Sequence, residues 1–378
     1  MKTALNDILV IELGTVLTAP LAGMMLADMG ARVIKVEHPD GGDPFRRHAG
    51  KLYSPHFAAY NRNKESIQLD LQTDQGKADL AKLISRADVL LDNYRSGVMQ
   101  RLSFDEARLK ALNPRLIQCS ITGFGASGPY RDRPCYDAVA VALSGITAQI
   151  VNPEQPALSG PSLSDNITGM YAAYGILGAL HNRDRTGEGA RVEVNMLEAS
   201  VAFSPEGFAQ YTGLGLVPNP LSRVAISQSY VFRCADGRLV SVHLSSVEKF
   251  WQGFVKAIER DHLLTDPRFQ TPVSRTRHYL ELAAIAGETF AARNRDEWCR
   301  RLEANDVPFA AVNSAPEVMQ DPQVRHLGIF YEVPHPEQGR VTAIHRPVLI
   351  DGERGPSDKA APTLGEHTAA IRREFELS

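Results

Sequence analysis

Asp165 stands where a Gly/Pro/Ser loop, Ala157-Leu-Ser-Gly-Pro-Ser-Leu-Ser164, gives way to an almost uncharged run from Asn166 to Leu180. A carboxylate at such a boundary is either a helix N-cap, accepting hydrogen bonds from unpaired backbone N–H groups, or a nucleophile. Both roles need the ionised form, which the positive end of a helix dipole favours. Other sites are less specific. Gly14-Thr-Val-Leu-Thr-Ala-Pro20 follows an apolar stretch, as a dinucleotide-binding loop would, but Val16 and Ala19 occupy positions where that fingerprint needs glycine. Only the acidic Glu37, further on, matches it. Val16 and Leu17 suit either contact with a flat base or ordinary loop packing. Thr122-Gly-Phe-Gly-Ala-Ser-Gly-Pro-Tyr130 is a tight loop whose spacing is not that of a phosphate-cradling P-loop. Asp137 opens another small-residue helical run and reads equally as a cap or a site residue.

Composition narrows the chemistry. The chain has 378 residues, 43% apolar and 22% charged, which is ordinary for a globular protein of about two domains. A formal net charge of −3 offers no basic field for nucleic acid and no polybasic segment for anionic membranes. No apolar run approaches the ~18 residues that span a bilayer. The first residues carry Asp7 within an apolar stretch and no cleavage pattern, so no signal peptide is expected. Cys119, Cys135, Cys234 and Cys299 lack zinc or redox spacing and read as reduced thiols of a cytoplasmic protein.

The elements that must position these residues follow an α/β alternation. Ile8–Leu13 reads as a buried strand, Pro20–Met29 as a helix closed by Gly30, and Ala31–Glu37 as a second strand. The pattern recurs with helix 75–85, strand 88–92, helix 104–112 and strand 115–121, predicting a doubly wound, Rossmann-like sheet over roughly 1–150. Ligands of such sheets bind beyond the C-terminal ends of the strands, where the Gly14–Pro20 loop lies. Gly169, Gly175 and Gly178 within the helix after Asp165 predict a buried helix approached closely by other backbone. Ala190–Asn195 reads as a strand after the turn Thr186-Gly-Glu-Gly189.

Taken in order, these motifs resemble the class III coenzyme A-transferases. The resemblance is carried by Ile11–Pro20, Val33–Glu37 with Gly41-Gly-Asp43, Asn61-Arg-Asn-Lys64, Asn93–Arg101, Gly123-Phe-Gly through Tyr130, and the helix opened by Asp165. It continues through Asp266-Pro-Arg-Phe269, Asp321-Pro-Gln323 and Gly365-Glu-His367, so it covers nearly the whole chain. It implies an interlocked homodimer and a nucleophilic Asp165 that forms an aspartyl–acyl mixed anhydride and then an aspartyl-CoA thioester. Acyl-CoA and a small carboxylic acid are the implied substrates, with no tightly bound cofactor, metal or ATP. CoA contacts carry over onto Val16, Leu17, His38, Leu69 and Gln72, and onto Asn93, Tyr94, Arg95, Arg101, Tyr136 and Asp137. His38 stands where some relatives have arginine and Gln72 where some have lysine. Tyr136 occupies the position at which the related α-methylacyl-CoA racemases carry histidine, which favours transfer over proton exchange. A racemase or isomerase and a non-catalytic acyl-CoA binding protein are the competing readings.

The expected organisation is a large CoA-binding domain over 1–215, a smaller α+β domain over 216–315 and a return to the large domain over 316–378. In the smaller domain, Tyr230–Cys234 and Arg238–Leu244 read as a hairpin joined by Ala235-Asp-Gly237, followed by helices at 248–258, 277–292 and 296–304. Trp251 and Trp298 are expected as core anchors. His243, Ser245, Ser246 and the loop Ser222–Ser229 are candidates for acceptor selection or simple surface polarity.

Overall fold

The computed structural model describes residues 4–49, 52–158, 160–245, 248–355 and 359–378. The chain divides into two compact units: residues 1–147, 158–205 and 325–378 form the first, and residues 148–157 with 206–324 form the second.

The first unit is built on a six-stranded, wholly parallel sheet of order β3-β2-β1-β4-β5-β6. Its strands are β1 (Leu9–Glu12), β2 (Arg32–Glu37), β3 (Lys64–Gln68), β4 (Val89–Asp92), β5 (Ile117–Thr122) and β6 (Ala190–Asn195). Alternate residues feed two cores. Ile11, Leu13, Ile34 and Ile67 face the helix Asp74–Arg86, whereas Val10, Val33, Leu91, Cys119 and Ile121 face helices Thr18–Asp28 and Leu163–Thr186. The order of crossovers makes a doubly wound sheet, but it runs past the expected limit near residue 150 because β6 closes it at 190–195. β3 was not expected as a strand: Lys64-Glu-Ser-Ile-Gln68 has a single aliphatic side chain and no strand-like periodicity. Its outer edge is covered by the chain's return, with His367 N–H donating to Ser66 O (3.0 Å) and Gly365 N–H to Ser66 Oγ (2.9 Å).

Beneath the C-terminal ends of β1 to β3 lies a fully buried charge network. Lys35 Nζ pairs with Glu12 Oε1 (3.0 Å) and Asp43 Oδ2 (2.9 Å) and donates to Gly14 O (2.6 Å). Lys64 Nζ sits 2.8 Å from Glu12 Oε2 and donates to Pro20 O and Asn61 Oδ1. Arg46 grips Glu37 through two guanidinium nitrogens at 2.7 and 2.6 Å, and Ser66 Oγ donates to the same carboxylate. Gly23 makes room for the Glu12 side chain: a Cβ there would overlap Glu12 Oε2. Burial alone would lower the Lys35 ammonium, but Asp43, Glu12 and Glu37 outweigh it and hold it above its ordinary range. Burial prevails at Lys64, which has Glu12 for it and Lys35 against it, and is pulled down to about 8.

The second unit carries the expected hairpin, β7 (Ser229–Arg233) antiparallel to β8 (Leu239–His243), with β9 (Phe309–Ala311) added on the other side of β8. Trp251 and Trp298 are core residues, as expected; Trp298 stacks on Phe290 with ring centroids 4.4 Å apart. The helix expected over 277–292 is present as Tyr279–Phe290, and a further short helix, Pro272–Arg277, precedes it. From that short helix the buried Arg275 reaches Gln228 Oε1 (2.8 Å) and Glu248 Oε2 (2.9 Å).

Glu12→Gln leaves two buried ammonium groups short of a counter-charge, so urea unfolding is expected to show a loss of about 3–5 kcal/mol. Glu193→Gln, at an exposed pair with Arg191, is expected to cost under about 1 kcal/mol.

Candidate active site

The helix bearing Asp165 runs from Leu163 to Thr186, so Asp165 is its third residue and not its cap. Ser162 occupies the N-cap position without a side-chain cap bond. The unpaired N–H of Asp165 donates instead to Asp137 Oδ1 at 3.1 Å. Asp137 likewise is no cap of its own helix, Asp137–Leu143, but its first residue after Tyr136. The small Ser164 brings the turn close to the core: its Oγ is buried, accepting from Ser200 Oγ (2.8 Å). One flank of the helix is buried, and Gly169 permits the contact, because a Cβ there would crowd Thr18 O. Gly178 has open space around it, and Met170, Tyr171 and Tyr174 are exposed, so the helix expected to be buried is buried on one face only.

Asp165 lies in a cavity of about 370 Å³ with residues from three strand ends. The β1 loop contributes Thr15, Val16, Leu17 and Thr18, the β4 end Asn93 to Ser96, and the β5 end Ile121 to Gly123. Val16 has φ 67°, a left-handed conformation that β-branched residues avoid and that costs roughly 1–3 kcal/mol. Its N–H is held by both Asp43 oxygens (3.1 and 3.2 Å), which ties the loop to the buried network. Burial would raise Asp43, but Lys35 and the Phe45 and Val16 N–H groups together hold it below the ordinary carboxylate range. Asn93 ties the same loop to β4. Its Oδ1 accepts from Thr15 N–H (3.0 Å), and its Nδ2 donates to Thr15 O and Thr18 Oγ1. Ser96 Oγ is buried and without a partner among the described residues.

The electrostatics differ from those expected of a helix cap. Burial, with the Asp137 carboxylate adding to it, pushes the Asp165 carboxyl up to about 6. The same surroundings push the Cys135 thiol up to about 11, by burial and then by Asp165 and Asp137. Arg95, Arg131 and Arg133 line the cavity; Arg131 pairs with Asp132 (3.3 Å) and Arg133 lies over the Tyr130 ring. A neighbouring cavity of about 580 Å³ shares Tyr94, Arg95, Ser96, Thr122 and Arg131 with the first and has Asp92 in its lining. Burial pushes Asp92 up to about 6 despite hydrogen bonds from Tyr94 N–H and Ser120 Oγ.

Of the candidate residues, Val16, Leu17, Asn93, Tyr94, Arg95, Tyr136 and Asp165 line one cavity, and Asp137 is bonded to its edge. His38, Leu69, Gln72 and Arg101 are not in its lining. His38 and Gln72 are exposed at the C-terminal ends of β2 and β3, one and two strands out from β1, and both contact Asp70. Leu69 is a core residue, and Arg101 is an exposed side chain ending the short helix Val98–Arg101. Sequence reasoning passed over Ser96, Arg131, Arg133, Cys135 and Met196; Arg131 and Arg133 had a signal, since they follow the glycine-rich loop. In the second unit, His243 bridges Ser229 Oγ (2.8 Å) and Ser245 Oγ (2.6 Å), and Ser246 lies outside the described residues. Among the described residues no group of three or more His, Cys, Asp or Glu is placed to hold a metal, and no helix is long and apolar enough to cross a membrane.

Comparison with known proteins places this geometry among relatives. The family described as CoA-transferase family III matches residues 5–368. Succinate–glutarate CoA-transferase of Agrobacterium fabrum is 33% identical over 387 residues, covering 99% of this chain and 96% of that protein. Formyl-CoA:oxalate CoA-transferase of Escherichia coli O6:H1 is 31% identical over 404 residues, covering 100% and 97%. The crystal structure of a CAIB/BAIF family protein from Brucella suis superposes with a TM-score of 0.89 at 30% identity, over 99% of this chain and 100% of the other.

The raised Asp165 carboxyl sets a stability expectation. Its folded value of about 6 lies above the ordinary 3.8, so the folded state holds the proton more tightly and ionisation works against folding as pH rises through that interval. Asp165→Asn is therefore expected to stabilise the protein by about 1–3 kcal/mol at pH 7.5 in urea melts, with the gain shrinking toward zero near pH 4.

Proposed function

The chain belongs to CoA-transferase family III, and we propose that it moves coenzyme A from an acyl-CoA to an acceptor carboxylic acid with Asp165 as the nucleophile. The observation that carries this reading is the half-buried Asp165 carboxylate in a cavity formed by the β1, β4 and β5 ends. A carboxylate there is basic enough to attack a thioester and screened enough from water to protect an activated acyl group.

The proposed steps balance without cofactor, metal or redox change. An Asp165 oxygen attacks the donor thioester carbonyl; the C–S bond breaks, giving an aspartyl–acyl anhydride and CoA thiolate. The thiolate attacks the Asp165 carbonyl, and the donor acid departs with one of the aspartyl oxygens, leaving an aspartyl-CoA thioester. The acceptor carboxylate attacks that thioester and expels the thiolate, forming a second anhydride. Thiolate attack on the acceptor's carbonyl then yields the new acyl-CoA and returns Asp165 to its ionised form. Each step trades one activated acyl bond for another, so the barriers are set by orientation and by stabilisation of the developing oxyanions.

Coenzyme A is the substrate assigned to the C-terminal edge of the sheet. Its pantetheine arm is placed between the β1 loop and Tyr94–Arg95, and its charged end outward past His38, Gln72 and Arg101, all exposed. Arginine suits the phosphates because its guanidinium stays charged and presents forked donors. Arg95, Arg131 and Arg133 give the inner cavity a cationic lining that suits carboxylate substrates. The named relatives act on succinate and glutarate and on formyl-CoA and oxalate, so short dicarboxylates are the acceptors to test first. A second copy of the chain is the partner proposed for the exposed apolar side chains Met170, Tyr171, Tyr174 and Phe203.

The test is incubation with succinyl-CoA, acetyl-CoA or formyl-CoA, followed by hydroxylamine or borohydride trapping and peptide mass spectrometry. A modified Asp165 is expected with a competent donor, and Asp165→Ala is expected to lose the adduct and at least about 10³-fold in kcat. No adduct with any donor, together with full transfer by Asp165→Ala, would sink the mechanism. With a competent pair, kcat/KM is expected to fall as pH drops through about 6, because the nucleophile must be ionised. Solvent deuterium appearing at the substrate α-carbon would point to the racemase chemistry instead.

A further inference from the structure

The first turn of the Asp165 helix lacks its ordinary cap. Ser162 makes no side-chain bond to it, and the third N–H, that of Asp165, finds its acceptor on Asp137, the first residue of another helix. Helix starts normally satisfy these donors locally, with Ser, Thr, Asp or Asn at the cap. Here the donor is satisfied by a carboxylate from far along the chain, which places a second negative charge next to the one that would react.

That placement has an electrostatic cost in the free enzyme. A neutral acceptor, such as asparagine or serine, would cap the N–H equally well without it. The other titratable or charged side chains in the cavity are Tyr94, Arg95, Arg131, Arg133, Cys135 and Tyr136. Arg131 and Arg133 are engaged with Asp132 and Tyr130. The helices packed on the start of this helix bring uncharged groups: Met196 and Ser200 of helix Met196–Phe203 at Ser164, and Thr18 and Leu21 of the first helix one turn on, at Gly169. Glu198 of that last helix is turned to Asn195 Nδ2 (2.6 Å). Asp137 is thus the carboxylate that burdens Asp165, alongside burial.

We infer that Asp137 is a positioning residue for the transfer reaction, holding the Asp165 turn through its amide while its charge favours the covalent states in which Asp165 is neutral. The inference rests on Asp165 being the nucleophile. In the anhydride and in the aspartyl-CoA thioester, Asp165 carries no charge, so the repulsion from Asp137 is relieved; the hydrogen bond to its N–H persists. Release of the acyl group restores the repulsion, so Asp137 makes Asp165 a stronger nucleophile and biases the enzyme toward its acylated forms.

The experiment is a titration of the Asp165 carboxyl by ¹³C NMR on the whole enzyme labelled at aspartate carboxyls, with Asp165→Asn used to assign the signal. Wild type is expected to titrate near 6. Asp137→Asn and Asp137→Ser both keep an acceptor for the Asp165 N–H, so the fold has its cap in either case. Both are expected to move the midpoint down by at least about half a unit. Asp137→Glu, which keeps the charge, is expected to leave it raised. The acid limb of kcat/KM is expected to shift in step, and the fraction of enzyme trapped as adduct at steady state to fall in the two neutral variants. An Asp165 midpoint unchanged in both neutral variants overturns the inference while leaving trapping at Asp165 untouched. Absence of any adduct on the wild-type enzyme overturns the nucleophile reading instead, and the substrate-free titration distinguishes the two failures.

Discussion

The ion pairs that Lys35 makes with Glu12 and Asp43, fully buried from solvent, are the interaction on which the rest of this molecule depends. Two charges removed from water gain only if their geometry is good and their remaining bonding capacity is met. Both conditions hold: Lys35 also reaches Gly14 O, and Asp43 also accepts from Phe45 and Val16 N–H. The network therefore does more than offset its own desolvation. It pulls the chain just past β1 into a fixed path, keeps Val16 in a conformation its side chain disfavours, and so shapes one wall of the cavity that holds Asp165. Asn93 repeats the device from β4, using one amide side chain to join two strand ends.

Against that wall, the Asp165 helix contributes a carboxylate whose charge is held in check. Two influences oppose each other there. The N-terminal turn favours a carboxylate, while burial and Asp137 disfavour it. The outcome, a carboxyl pushed up to about 6, leaves an anion at neutral pH that is more basic than a solvated aspartate. A carboxylate with that balance suits the proposed route, in which one aspartyl oxygen takes up the donor acyl group and leaves with it, and the carboxylate is later regenerated with an oxygen of the acceptor.

Much of the scaffold was legible because its signals are local. β1 and β4 are mostly apolar runs too short for helices, β2 is a short segment rich in Val and Ile, and the helix starting near Pro20 has a proline-containing first turn and a glycine stop. β3 escaped because four of its five residues are polar or charged, and what makes it a strand is Lys64 buried against Glu12 and an edge covered by residues some 300 positions later. The same distance hid the reason for several motifs. Glu12, Lys35, Asp43, Asn61 and Lys64 were visible as parts of a family resemblance, yet nothing in their spacing shows that they converge on one buried network. Asp165 illustrates both halves of this. Its position at a loop-to-helix boundary was correct, but the cap it was expected to provide is absent, and the residue that bonds its turn, Asp137, is 28 positions away. Arg131 and Arg133 are marked only by following the glycine-rich loop, a signal that does not say which cavity they line.

Oxygen transfer tests the central claim most directly, because the aspartyl route requires Asp165 to exchange an oxygen with the acid in every cycle. In a single turnover with an acceptor acid carrying oxygen-18 in both carboxylate positions, one labelled oxygen is expected in the product acyl-CoA and the other in the Asp165 peptide. Label absent from Asp165 after efficient turnover, with the oxygen recovered in the donor acid instead, would contradict it and indicate direct attack of acceptor on donor.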